Sequence, residues 1–188
     1  MAKVYEFLAD GFEEVEAMAP VDILRRGGVD IKTVSVTGSE WATSSHGVTM
    51  KADLVFTRPE DFADADMILL PGGLPGATNL NEHEGVRATL LAQAKAGRRI
   101  GAICAAPMVL GSLGLLDGKK ATCSPGFERY MTGADYTAEL FQEDGMILTG
   151  EGPAATLPYA YHILSYFVPE EQVKDLQVKM QYAHLMGK

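Results

Sequence analysis

Short runs of apolar and β-branched residues alternate along this chain with longer stretches in which apolar residues recur every three or four positions. The run from Val4 to Leu8 ends at Asp10-Gly11 and predicts a first strand. Glu13–Arg26 has helical spacing, and Gly27-Gly28 is a typical end signal for a helix. The chain therefore opens with a strand followed by a helix.

The same alternation continues to the end of the chain. Further strands are predicted at Ile31–Val36, twice within Ser45–Val55, and at Asp66–Leu70, Arg99–Ile103, Lys120–Cys123, Tyr136–Phe141 and Met146–Thr149. Further helices are predicted at Glu84–Ala96, Ala105–Leu113, Ala154–Phe167 and Glu170–Met186. Strands that alternate with helices of this length indicate an α/β fold with a mostly parallel sheet covered on both faces. We expect residues 1–188 to form one domain.

Three unusual segments follow predicted strands: the acidic segment that begins at Gly11, the turn Pro71-Gly72-Gly73, and Cys104. In open parallel sheets, ligands bind outside the carboxyl ends of the strands. We therefore expect these three segments to converge on one site.

Composition narrows the class of protein. The net charge of −9 lacks the basic surface that neutralises phosphates, so nucleic-acid binding is not expected. The two cysteines, Cys104 and Cys123, do not form a disulfide framework or a metal-binding spacing. No basic segment followed by an apolar one opens the chain, and no apolar run is long enough to span a membrane. We expect a soluble, cytoplasmic protein that binds no membrane, needs no metal or cofactor and keeps its thiols reduced.

Cys104 stands where a strand runs directly into a helix. Hydrolases hold their nucleophile in such a turn, with small residues two positions to either side, and here those positions are Ala102 and Ala106. The nearby helix N-terminus is expected to lower the pKa of the thiol from about 8.5. The free backbone N–H of Ala105 is a candidate donor to an oxyanion, and the Gly73 N–H is the candidate second donor because glycine permits close approach of the backbone. The alternative is a Cys104 that only fills the core.

Glu16 is the candidate partner of this cysteine. It lies three residues before Ala19 and seven before Ile23, on the apolar side of its helix, where a carboxylate must be hydrogen-bonded or protonated. Glu13 and Glu14 are explained by the preference of helix N-termini for acidic residues. Of the histidines, His83, His162 and His184 are expected to be structural or exposed, whereas His46 is a weaker cleft candidate.

The motifs together resemble those of the ThiJ/PfpI superfamily, most of all the branch of the parkinsonism-associated protein deglycase and its bacterial relatives. They are Gly11-Phe-Glu-Glu-Val-Glu16 with Pro20, Leu70-Pro-Gly-Gly73, Ala102-Ile-Cys-Ala-Ala-Pro107, and Leu148-Thr with Gly152-Pro153. The resemblance implies a flavodoxin-like three-layer sandwich, related to class I glutamine amidotransferases, that forms a homodimer. It also implies a nucleophilic, oxidisable Cys104, a protonated Glu16, and oxyanion donors at Gly73 and Ala105.

The sequence departs from the resemblance at three positions. Ser124 stands where animal members have a histidine, and His46 where they have an arginine. The protease branch has a histidine at the position of Ala105, so peptidase activity is not expected. Cys123, beside Ser124, is a candidate second thiol of the site. Gly72 is a further candidate cleft residue.

The resemblance leaves three functions open. The first is a glyoxalase III or protein deglycase that converts methylglyoxal, or its adducts with amines, to lactate through the Cys104 thiolate, with Glu16 as proton relay. The second is a sensor of oxidative stress or a redox-regulated chaperone that works through oxidation of Cys104. The third is a protein of unknown activity labelled for thiazole monophosphate biosynthesis. The expected partners are reactive carbonyl compounds or glycated adducts and a second copy of the chain.

Overall fold

The computed structural model describes residues 2–187 and contains a seven-stranded sheet. Its strands are β1 (Lys3–Leu8), β2 (Asp30–Ser35), β5 (Leu54–Val55), β6 (Met67–Leu70), β7 (Arg99–Ile103), β10 (Phe141–Asp144) and β11 (Ile147–Gly150). Two small sheets pair β3 (Trp41–Thr43) with β4 (Thr49–Lys51), and β8 (Lys120–Ala121) with β9 (Asp135–Tyr136). The helices are α1 (Glu14–Arg26), α2 (Gly76–Glu82), α3 (Glu84–Lys95), α4 (Pro107–Ser112), α5 (Thr156–Ser165), α6 (Glu170–Lys179) and α7 (Tyr182–Leu185). Single 3-10 turns lie at Pro59–Phe62, Glu128–Tyr130 and Pro153–Ala155.

The strand order of the large sheet is β10-β11-β7-β6-β1-β2-β5, and every neighbouring pair is parallel except β10 with β11. The predicted mostly parallel α/β sheet is thereby confirmed. The carboxyl ends of β1, β6 and β7 lie side by side at the centre of one edge. The segments that follow these three strands are the three named above.

Two hydrophobic layers cover the faces of the sheet. The central strand β6 shows how they arise, because Met67 and Leu69 pack in one layer while Ile68 and Leu70 pack in the other. The first layer includes residues of α1, α5 and α6, and the second includes residues of α2, α3 and α4. This three-layer sandwich is the flavodoxin-like architecture that the resemblance implies. No helix among residues 2–187 is both long and apolar enough to cross a membrane.

Two local predictions were wrong, and two short elements were not predicted. The predicted strand Tyr136–Phe141 is two strands, β9 and β10, separated by a turn in which Ala138 has a φ of 54°. The predicted helix Glu170–Met186 breaks at Gln181, whose φ is 58°. A third short strand, β3, precedes the region in which only two were expected. The short helix α2 escaped prediction because its sequence, GATNLNE, has weak helix propensity.

Candidate active site

The turn that carries Cys104 is as sharp as the sequence predicts. β7 ends at Ile103, and Cys104 has a φ of 63°, a conformation that costs a residue with a side chain roughly 1 kcal/mol. Two backbone hydrogen bonds hold this conformation: the Cys104 N–H donates to the Gly150 carbonyl, and the Cys104 carbonyl accepts from the Ser124 N–H, both at 2.9 Å. The flanking Ala102 and Ala106 are fully buried, which leaves no room for larger side chains beside the turn.

Gly72 makes the space in which the site assembles. A Cβ built on Gly72 would stand 2.6 Å from Cys104 Cβ, 2.7 Å from Glu16 Oε2 and 2.9 Å from the Ala105 nitrogen. Contacts this short do not occur between real side chains, so only glycine fits at this position. Gly72 is thus surrounded by the candidate nucleophile, the candidate acid and one candidate oxyanion donor. The three loops converge as expected.

Glu16 reaches this space from the first turn of α1. The Glu13 side chain caps that helix by accepting a 2.7 Å hydrogen bond from the Glu16 N–H. The Glu16 side chain is fully buried, and its Oε2 accepts from the Gly72 N–H at 2.8 Å. Oε1 has no nitrogen or oxygen partner within residues 2–187. The expectation that Glu16 faces inward is therefore met.

Burial raises the pKa of Glu16 to about 7, against the opposing influence of hydrogen bonds with Cys104 and with the Gly72 N–H. At neutral pH such a carboxyl group exists in both protonation states. It can accept a proton from a neighbouring thiol and return it within one reaction cycle.

The predicted lowering of the Cys104 pKa was wrong. Burial raises the pKa of the Cys104 thiol to about 12, and the adjacent Glu16 adds to this through its charge and hydrogen bond. The Gly73 N–H and the Ser124 hydroxyl act in the opposite direction. The helix dipole does not prevail because α4 has six residues and begins three residues after Cys104. The thiol therefore needs a local base rather than the solvent to remove its proton.

The two predicted oxyanion donors lie beside the thiol. The Gly73 N–H acts on the Cys104 sulfur, and Gly73 adopts a φ of 85° that favours glycine. The Ala105 N–H donates to no oxygen within the described part of the chain. Two backbone donors and a thiol around one space can receive a carbonyl group and hold the negative charge that develops on its oxygen.

A cleft of about 200 Å³ has Ser124 and Pro125 as one wall, and Ser124 is the residue that connects it to Cys104. Ser124 stands where the resemblance calls for a histidine, and its hydroxyl interacts with the Cys104 thiol. The loop after β11 forms the other wall, from Glu151 to Ala155. Sequence reasoning noticed Gly152-Pro153 in this loop but missed Glu151. Glu151 could have been identified as a candidate because it directly follows β11, the strand that pairs with β7.

The remaining candidates lie elsewhere. Cys123 is fully buried in the hydrophobic layer of α2, α3 and α4, so the structure does not bring its side chain to the cleft. His46 is exposed, and its Nδ1 lies 3.0 Å from Glu14 Oε2 at the surface. His83 accepts a hydrogen bond from the Val86 N–H at the start of α3, and His162 pairs with Glu143 at 2.9 Å. These pairs agree with the structural roles expected for His83 and His162.

Comparison with known proteins gives a consistent assignment. The sequence model of the DJ-1/PfpI family matches residues 2–166. The chain is 35% identical to protein DJ-1 homolog B of Arabidopsis thaliana over 178 residues, and 34% identical to the Parkinson disease protein 7 homolog of Danio rerio over 176 residues. These alignments cover 93% and 92% of this chain, and 40% and 93% of the two relatives. The chain thus spans less than half of the Arabidopsis protein. A deglycase of Pyrococcus horikoshii is 34% identical over 137 residues, which are 70% of this chain and 78% of that protein.

Solved structures show the same fold. A cysteine-to-alanine mutant of a DJ-1 superfamily protein from Salmonella typhimurium superposes with a TM-score of 0.89 at 31% identity, covering 96% of this chain and 98% of that one. The oxidized DJ-1 of Toxoplasma gondii gives the same TM-score and identity, covering 97% of this chain and all of the other.

Proposed function

This chain belongs to the DJ-1/PfpI family, and from that premise we propose that it is a cysteine-dependent enzyme that converts 2-oxoaldehydes such as methylglyoxal, or their adducts with amines, to 2-hydroxy acids. The observation that carries the proposal is the meeting of Cys104, Glu16 and the Ala105 N–H around Gly72. The similarity to a deglycase supports the choice of substrate class.

In the first step, the Glu16 carboxylate takes the thiol proton while the Cys104 sulfur attacks the aldehyde carbon. A C–S bond forms, and the π electrons of the carbonyl move to its oxygen. The Gly73 and Ala105 N–H groups stabilise that oxyanion. Glu16 then returns its proton to the oxygen, which gives a hemithioacetal.

In the second step, Glu16 removes the hydrogen of the former aldehyde carbon as a proton and delivers a proton to the neighbouring carbon, while the hydroxyl proton of the hemithioacetal moves to the ketone oxygen. The aldehyde carbon is oxidised to a thioester and the ketone carbon is reduced to an alcohol, so no external oxidant is consumed. The pKa of about 7 suits Glu16 to both transfers.

In the third step, water attacks the thioester, the C–S bond breaks, and lactate leaves as the thiol is restored. With an amine adduct, the C–N bond breaks during the first step and the amine leaves with the proton that Glu16 carries. No peptide bond is cleaved in either reaction.

The test is lactate formation from methylglyoxal by the wild type and by Cys104→Ala, Glu16→Gln and Cys123→Ala. We expect turnover in the wild type and in Cys123→Ala, and its loss in Cys104→Ala and Glu16→Gln. Thermal unfolding of each variant checks that it folds. A wild type without turnover, or a Cys104→Ala variant that keeps it, would rule the proposal out.

The second candidate function is a redox sensor based on oxidation of Cys104. Two observations support this second function. A related protein has been solved in an oxidized form, and the Gly73 and Ala105 N–H groups could hold the oxygens of a sulfinate. Mass spectrometry after dilute peroxide separates the two functions. A sensor gains two oxygens on Cys104 at peroxide concentrations that leave the methionines unchanged, whereas a thiol that stays unmodified there contradicts sensing.

A further inference from the structure

The cleft lined by Ser124 and Glu151 lies next to the reactive thiol, because the Ser124 hydroxyl interacts with Cys104. The Gly150 carbonyl binds the Cys104 N–H, so Glu151 is the first residue of the opposite wall. Neighbouring strands lie about 5 Å apart. A substrate group that extends from the Cys104 sulfur past the Ser124 hydroxyl enters the cleft that Glu151 also lines.

One side chain sets the charge of this cleft. Its other walls are the hydroxyl of Ser124, two prolines, Gly152 and two alanines, and Glu151 is the only titratable residue among the described residues that line it. Glu151 is partly exposed, and its backbone N–H donates to the Leu140 carbonyl at 2.9 Å, which fixes the loop at this residue. A Cβ on Gly152 would meet no atom within 4 Å, so the cleft is open beside the carboxylate.

We propose that Glu151 is a specificity-determining residue that admits cationic and neutral compounds to Cys104 and disfavours anionic ones. The preferred substrates would then be adducts of a 2-oxoaldehyde with a cationic amine or guanidine, and hemithioacetals of anionic thiols would be disfavoured. The assignment of substrates rests on the proposed function. The selection by charge does not, because it concerns access to the thiol.

Charge-matched thiol reagents measure that access directly. The probes are 2-aminoethyl, 2-sulfonatoethyl and methyl methanethiosulfonate, which are cationic, anionic and neutral. In each reaction the Cys104 sulfur attacks the thioalkyl sulfur, an S–S bond forms, and methanesulfinate leaves with the electron pair of the broken bond. Peptide mass spectrometry counts the modification of Cys104, and the neutral reagent corrects for any change in thiol reactivity.

The variants are Glu151→Gln, Glu151→Lys and the control Asp175→Asn, which removes the same charge from the exposed surface of α6. We expect the ratio of cationic to anionic rates to fall about threefold to tenfold in Glu151→Gln at low salt, from the interaction of unit charges several ångströms apart. The ratio falls further in Glu151→Lys and stays at the wild-type value in Asp175→Asn. An unchanged ratio in Glu151→Gln and Glu151→Lys would overturn the proposal.

Turnover separates this proposal from the proposed function. The wild type is given methylglyoxal adducts of N-acetylargininamide, which carries a guanidinium and no carboxylate, and of N-acetylcysteine, which carries a carboxylate, and lactate is measured. A preference for the arginine adduct that Glu151→Lys reverses supports both proposals. Absence of lactate with every substrate ends the enzymatic function but leaves the reagent ratio as the test of charge selection.

Discussion

Replacing Glu16 with glutamine should make the protein more stable at alkaline pH, because the buried ionised carboxylate lowers the free energy of unfolding of the wild type. Glutamine has nearly the same shape, and its carbonyl oxygen can still accept the 2.8 Å hydrogen bond from the Gly72 N–H. What the substitution removes is the fully buried ionised state.

The magnitude follows from the pKa of Glu16, which burial raises from an ordinary value of 4.5 to about 7. The folded state then holds the proton to higher pH than the unfolded state does. Stability is therefore full below about pH 4.5 and is lost as the pH rises through 7. At about 1.4 kcal/mol per pKa unit, the loss is roughly 3 kcal/mol.

Urea unfolding of the wild type and Glu16→Gln at about pH 4.5 and about pH 8 measures this difference. We expect the two proteins to agree within about 1 kcal/mol at the lower pH, and the variant to be more stable by roughly 2–3 kcal/mol at the higher pH. Glu14→Gln, in the same turn of α1, is the control, since the hydrogen bond from His46 lowers the pKa of Glu14. If Glu16→Gln were equally destabilised at both pH values, the buried carboxylate would not be the source of the cost.

Two further predictions concern the reactivity of the thiol. Iodoacetamide should modify Cys104 well before the fully buried Cys123, and the rate at Cys104 should first rise through about pH 7 as Glu16 loses its proton. This rise in rate should be absent from Glu16→Gln. Equal rates at the two cysteines, or a rise that persists in the variant, would contradict the prediction. Gly72→Ala should place a methyl group within 3 Å of Cys104, Glu16 and Ala105. We expect it to lower the free energy of unfolding by about 1–3 kcal/mol and to slow iodoacetamide modification of Cys104 about tenfold or more. Unfolding and alkylation that match the wild type would show that the site is less tightly packed than the structure indicates.

The sequence was sufficient for the sheet and for the meeting of three loops. Buried runs such as Met67–Leu70 identify parallel strands, and the ends of parallel strands share one edge whatever the details of packing. The inward position of Glu16 followed from helical phase alone, because one carboxylate on an apolar face needs a partner.

The charge state of Cys104 could not be predicted from the sequence. It depends on burial and on the Glu16 carboxyl group, which is far away along the chain, whereas the short helix α4 that suggested a low pKa has a weak influence. Cys123 shows the same limit. Its neighbour Ser124 reaches the site, but the pleat of the chain directs the Cys123 side chain into the core. Glu151 was missed because only the folded chain brings the loop after β11 to the same cleft as Ser124.

The most direct test of the account is to stop the reaction with methylglyoxal in acid within the first turnover and to map the modified residue by mass spectrometry. The account predicts one methylglyoxal unit attached to Cys104 in the wild type, much less of it in Glu16→Gln, and none on Cys123. Lactate formed at the wild-type rate by Cys104→Ala, or an adduct that forms first on another residue, would contradict it.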